Sequence, residues 1–431
     1  MNNRNTIFYF VLLTFFSCQN IEKTSQWRGP NRDGIYPEKN LLKVWPENEP
    51  DLMWSFEGLG KGHGNVGIGN DKLFVCGMPD SIGVLYAFDL KGQLLWEKEY
   101  GLEWTRNYTG SRSTPTVVGN LVYLESGHGV VFCYDEKSGD LVWSVDLLQK
   151  YNAENIKWGM AESLLVDGNI IYCTPGGKVN NIVALDRFTG ETIWTSSGNG
   201  QPAAYCSPIL VEHNETRLII TMTAESIIGV DAETGEFYWS IEQQQSNKIH
   251  ANTPLYFDGK ILCSSASAKS EYTGTVQIQL SEDGKSAEIN WRRPKITNLM
   301  SGYILKNGFV FGSPFNKSEW YCLNWESGES EYISKAFNSG VIIFADGLFY
   351  CYSHKGEMAL VDADDKDFKI LSVFDIPLGT DQHWAHPVID SGRLYIRHGD
   401  ALMAYDITEI DTLLNFVLII SYYAPAIWIQ P

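Results

Sequence analysis

Eleven side chains in this sequence have the types that bind or transform small molecules, and most stand just ahead of a short apolar run. They are His63 in GKGHGN; Arg106, Tyr108 and Arg112 in WTRNYTGSRS; Trp158 in KWGM; Tyr205 in AAYCSP; His250 and Asn252 in IHANTP; and His383, Trp384 and His386 in QHWAHP. Imidazole and guanidinium groups beside aromatic rings suit an anion, held by charge-assisted hydrogen bonds and stacking. A metal site from His383, His386 and one of His63 or His250 is the weaker reading, because QHWAH is not a ligand spacing with a known metal geometry. No GxSxG, HExxH or P-loop occurs, and the glycine run GLGKGHGNVGIG is not followed by a helical pattern. No catalytic residue is assigned.

The elements that must position these residues repeat. ALDRFTGETIW, with Asp186, Gly190 and Trp194, has close variants in CYDEKSGDLVW (Asp135, Gly139, Trp143) and GVDAETGEFYW (Asp231, Gly235, Trp239), and a shorter one in AFDLKGQLLW (Asp89, Trp96). Degenerate copies centre on Ser281, Asn324, Asp362 and Asp406, at a period of roughly 46 residues. Ahead of each copy lies an apolar run, a Gly-centred turn and a second β-rich run, as in SRSTPTVVGNLVYLES. That is a hairpin; the Asp run adds a third strand and the Trp run a fourth.

Eight such units predict an all-β fold, a single eight-bladed β-propeller with four-stranded antiparallel blades over residues 51–411. The last copy, ALMAYDI, lacks its Trp strand, whereas DLMWSFEG carries Trp54 before the first hairpin begins. The N-terminal strand is therefore expected to complete the last blade and close the ring. Within the motif, Asp should pin the turn, Gly should take a positive φ, and Trp should pack on the neighbouring blade. In a propeller the eleven residues above gather at one mouth, and hydrogen bonding to strand ends and water there is the simpler account of them.

The formal charge is −19, from 33 Lys+Arg against 52 Asp+Glu. Such a surface repels phosphate backbones, so no nucleic-acid partner is expected. Residues 1–18 read as a signal peptide with a short apolar core, ending at Cys18 in a lipobox-like setting, which predicts export to the cell envelope and a lipid anchor. Residues 19–50 read as a leader. The other seven cysteines sit in apolar runs with no CxxC, against zinc and against a dense disulfide framework. The tail 412–431 is uncharged and largely apolar, and an extra strand, a membrane-touching segment and a frame-altered end all remain open.

The pattern A-x-D-x-x-[ST]-G-x-x-x-W, matched in full by Ala184, Asp186, Thr189, Gly190 and Trp194, resembles the repeat of the PQQ-like (pyrroloquinoline quinone) β-propeller superfamily. The opening QWRGPNRDGIYP is also similar to the start of many secreted bacterial propellers of this kind. The resemblance implies one of two functions. One branch, the quinoprotein alcohol and sugar dehydrogenases, holds PQQ with Ca²⁺; the other, the propeller lipoproteins of the outer-membrane assembly machinery, uses no cofactor. The adjacent Cys pair of many quinoproteins is absent here, and no Ca²⁺ ligand can be carried over. The reading that follows is a monomeric envelope propeller that binds or scaffolds proteins or a small ligand without a cofactor. A PQQ-dependent dehydrogenase is the alternative and a carbohydrate-binding propeller the lesser one.

Overall fold

The computed structural model describes residues 24–409, apart from 48 and 316. Cys18, the signal segment and the tail from residue 412 lie outside the described residues. The β-strands form eight sheets, each built on four antiparallel strands, and the one helix among the described residues is the short turn Leu147–Lys150. Blade 1 comprises Gly67–Gly69, Lys72–Gly77, Ile82–Asp89 and Leu94–Leu102, and blades 2 to 7 follow in chain order with the same meander. Blade 8 takes its inner three strands from Val388–Asp390, Arg393–His398 and Ala401–Asp406. Its outer strand is Asp51–Glu57, antiparallel to Ala401–Asp406 with Trp54 opposite Ala404. The ring closes as the sequence predicts.

The motif residues act between blades. Asp186 Oδ1 accepts the N–H groups of Phe188 at 2.9 Å and Thr189 at 3.0 Å, and the Thr189 hydroxyl at 3.1 Å. Gly190 sits at φ 72°, a conformation that costs a residue with a Cβ. Trp143 of the preceding blade lies on that glycine and donates its indole N–H to the Arg187 carbonyl at 3.0 Å. The same ring-on-glycine packing joins Trp96 to Gly139, Trp194 to Gly235 and Trp291 to Gly328, with the indole N–H bonded in the last two. Across the closure it joins Trp54 to Gly92, with the Trp54 N–H on the Leu90 carbonyl at 3.2 Å.

Where the repeat decays, neighbours compensate. Blade 6 carries Tyr332 opposite Cys322, the register that Trp143 holds opposite Cys133, and its hydroxyl donates to the Asp367 carbonyl of blade 7 at 2.9 Å. In blade 7 the ladder runs past Asp362, which pairs with Lys369, and the turn is pinned two residues later by Asp364, which accepts from Lys366 and Asp367. The leader supplies the missing indole. Trp45, 4% exposed, donates its ring N–H to the Met358 carbonyl at 3.2 Å and packs with Tyr350, Phe374 and residues of blade 8.

The leader is thus part of the ring. Thr24 and Ser25 pair antiparallel with Val118 and Val117 on the inner strand of blade 2, and Ile35 and Tyr36 pair parallel with Phe344 and Ala345 on the inner strand of blade 7. Between these two anchors the chain crosses the axis of the propeller.

Candidate functional site

That crossing closes the floor of a basin. Arg28 and Arg32 are 4% and 3% exposed, at φ 60° and 59°. Arg28 donates to the carbonyls of Tyr303 at 2.8 Å and Asp33 at 3.1 Å, and Arg32 to those of Ser163 at 2.6 Å and Leu164 at 3.2 Å. Two guanidinium groups therefore bond inner-strand carbonyls of several blades from the centre, satisfying acceptors that a bare channel would leave to water. Trp27 lies above them, its N–H on Thr253 Oγ1 at 2.8 Å and its ring edge-on to His386 at 4.6 Å.

The walls are the loops that enter the first strands, fastened to one another around the axis. Asn65 N–H donates to Thr114 Oγ1 at 3.1 Å, Thr114 N–H to Ser163 Oγ at 3.0 Å, and Ser163 N–H to Ser207 Oγ at 3.0 Å. A small hydroxyl side chain just ahead of the first strand is what lets adjacent loops register. The enclosed cavity measures about 520 Å³.

Of the eleven residues singled out in the sequence, seven line this cavity: His63, Tyr108, Arg112, Trp158, Tyr205, Trp384 and His386. Trp384 is a hub, with ring centroids 5.2 Å from His63, 5.1 Å from Tyr108 and 6.0 Å from Phe315. Opposite, the Trp158 N–H donates to the Tyr205 hydroxyl at 2.9 Å, and Lys157 Nζ sits 4.3 Å from the Trp158 ring centre. Arg112 spends its guanidinium on its own loop, donating to the Gly110 carbonyl at 2.7 Å and the Tyr108 carbonyl at 2.5 Å.

Four of the eleven lie elsewhere. Arg106 stands over Trp104, its Cζ 5.6 Å from the ring, in a smaller neighbouring cavity with His128 and Lys157. His250 is fully buried, and Asn252 donates its amide to the Asn298 carbonyl at 2.7 Å. His383 faces away from the basin, stacked 3.7 Å from His398 and hydrogen-bonded through Nδ1 to the Tyr352 hydroxyl at 2.6 Å. Sequence reasoning missed Trp27, Arg28 and Phe315. The leader motif QWRGPNRDG held the signal: an aromatic and two arginines among glycines, with no strand of their own to serve.

Burial sets the protonation of the basin. His386 Nε2 faces the Met300 carbonyl at 2.8 Å and Nδ1 faces Arg28 Nη1 at 3.0 Å, so Nε2 carries the proton and Nδ1 accepts. Burial, then Arg28, holds His386 well below the usual imidazole range. Burial, then Arg112 and Arg397, takes His63 down to about 3. Burial brings Arg112 down to about 10, still charged at neutral pH, with Glu103 opposing the shift. The lining contains no carboxylate.

A quinone paired with Ca²⁺ needs anionic oxygen ligands for the metal. The basin offers only hydroxyl, amide and carbonyl oxygens, and among the described residues no group of three or more His, Cys, Asp or Glu is placed to hold a metal ion. The donor set does not fit the metal half of that pair, and no chemical step is derived through it. The seven described cysteines are all free and buried.

Residues 81–334 match the profile of the family described as outer membrane protein assembly factor BamB. Among curated relatives, the outer membrane protein assembly factor BamB of Kangiella koreensis is 29% identical over 36% of this chain and 37% of its own length. That of Escherichia coli is 25% identical over 40% of each. The chain spans about two fifths of the length of these relatives. Of solved structures, BamB from Moraxella catarrhalis superposes with a TM-score of 0.58 at 12% identity, covering 83% of this chain and 99% of that one. A europium-containing methanol dehydrogenase superposes with a TM-score of 0.63 at 11% identity, over 88% and 90%. At such identities the likeness is one of fold.

Proposed function

Because this chain belongs to the outer membrane protein assembly factor BamB family, through a match that spans more than half of it, we propose that it is a binding and scaffolding propeller of the bacterial envelope that assists assembly of outer-membrane proteins. The observation that supports this most is that two of the cationic or imidazole groups at the mouth are bonded to the protein itself. Both nitrogens of His386 and both terminal nitrogens of Arg112 bond protein atoms, and the lining has no carboxylate, while the buried ring nitrogens of His63 have no hydrogen-bond partner among the described residues. What such a mouth offers is a rigid disc with shaped faces, suited to holding a partner. In this reading the chain is exported, acts as a monomer and is tethered by lipid at Cys18.

The test is reconstitution. The full chain, added to vesicles that carry an outer-membrane assembly machinery, should speed insertion of a β-barrel client several-fold, and labelled fatty acid should be incorporated in cells but not in a Cys18→Ser variant. An unchanged insertion rate, together with stoichiometric Ca²⁺-dependent PQQ binding and dye-linked alcohol oxidation, would replace this reading by the dehydrogenase one.

A further inference from the structure

The basin departs from the rest of the molecule in composition. In a chain with 52 acidic and 33 basic residues its lining has no carboxylate, while Arg112 and Lys269 both contribute to it. Lys269 is exposed and makes no ion pair among the described residues. Six aromatic side chains form the remaining walls in two groups: Tyr108, Phe315 and Trp384 on one side, Trp158 and Tyr205 on the other, with Trp27 at the floor. All six are partly exposed or more. Asn247, on the rim, is exposed, and its side-chain amide makes no hydrogen bond among the described residues. Gln245 beside it uses its carbonyl oxygen to accept the Ile249 N–H at 3.3 Å, which leaves its NH₂ group for a ligand.

Each property narrows the occupant. Lys269, without an ion-pair partner among the described residues, in a lining with no carboxylate, disfavours a cation and favours a carboxylate. The closed floor at Trp27 and Arg28 admits a compact ligand and stops a chain from threading through. Loops, with no unpaired strand edge among them, form the walls, so an extended peptide would find little backbone to pair with. Two clusters of aromatic rings in the lining, with amide and hydroxyl groups beside them, fit a ring-shaped ligand that has apolar faces and polar edges.

We infer that the basin is a binding site for a short acidic saccharide, a hexuronate-containing mono- or disaccharide. Trp384 and Trp158 cover the C–H faces of its rings, Asn247 and Gln245 bond ring hydroxyls, and Lys269 draws the carboxylate. The inference does not depend on the scaffold reading, since assembly partners and a small ligand would use different surfaces.

The test titrates the full chain with digalacturonic acid, cellobiose and PQQ, reading tryptophan fluorescence and heat. Digalacturonic acid should bind saturably, on the order of a millimolar or tighter, and at least threefold more tightly than cellobiose, with the preference shrinking as salt rises. Trp384→Ala and Trp158→Ala should each weaken it at least tenfold, and Lys269→Gln about threefold. Asn247→Ala, at an exposed position, keeps the test decisive if a tryptophan variant fails to fold, and should weaken binding by a similar factor. Absence of binding, equal affinity for cellobiose, or affinity unchanged in the folded variants would overturn the proposal, as would binding of PQQ in place of the sugar.

Discussion

Trp194 lies on Gly235 so closely that a methyl group added there would fall 2.5 Å from indole Cε3, while the indole N–H reaches the Ala232 carbonyl at 3.2 Å in the same turn. The glycine serves two ends. It supplies φ 77°, and it leaves the flat space into which the neighbouring blade sets its ring. Repeated around the ring, this pair sets the stacking of one blade on the next.

Gly235→Ala should therefore cost more than backbone strain alone. Gly308, at φ 82° with nothing within 4 Å of an added Cβ, provides the comparison. Gly308→Ala is expected to lose about 1–2 kcal/mol; Gly235→Ala should lose roughly twice that, because Trp194 must move or tilt. Chemical denaturation of both variants measures the difference, and equal losses would mean that the indole gives way freely.

Much of this was legible in the sequence because Asp, Gly and Trp recur at one spacing and each does a local job. The closing strand was legible too, since the last copy lacked a Trp strand and Trp54 stood without a hairpin of its own. The leader was not. Trp27, Arg28, Arg32 and Trp45 act through contacts hundreds of positions away, on blades 3, 5, 6 and 7, and no period marks them. The mouth was read in part for the same reason. Sequence places His250 and His383 in the right loops, but not whether each ring turns to the cavity or into the protein.

Closure gives a second expectation. Trp54→Ala and Trp143→Ala remove the same side chain, one at the seam and one inside the chain's own run of blades, and each should cost about 3 kcal/mol. Only at the seam does the loss loosen the strand that closes the ring. Hydrogen exchange should rise in Asp51–Glu57 and Ala401–Asp406 for Trp54→Ala, and in neither for Trp143→Ala.

Arg28 ties the leader to the axis. Arg28→Ala leaves the Tyr303 carbonyl and His386 Nδ1 without their donor and should cost about 3 kcal/mol or more. Arg28→Lys should recover little, since one ammonium cannot reach acceptors spread across a guanidinium fork. Thermal melts of the two variants test this, and full recovery by lysine would show that charge alone matters there.

The buried carboxyls give the protein an alkaline weakness. Burial lifts Glu162 to about 8, against the pull of Thr174 and Arg32, and burial followed by Glu162 lifts Glu125 well above the carboxylate range. Both folded values exceed the unfolded one, near 4.3. Between that value and about 8 the native state holds more protons than the unfolded state, so stability falls as pH rises through this window, by at most about 1.4 kcal/mol per pH unit for each group. His63, His250 and His383 act in the opposite sense: depressed to about 3, 4 and 4, they make stability fall as pH drops below about 6.5. Those imidazoles are neutral in both states only above about pH 7.5, and from there the carboxyls set the slope. Glu162→Gln keeps a group that can accept the Thr174 N–H, which now bonds Oε2 at 3.1 Å, and removes the ionisation. Urea denaturation at about pH 7.5 and about pH 9 should show the wild type weakening over that interval and the variant changing distinctly less. Parallel slopes for the two proteins would place the titrating group elsewhere.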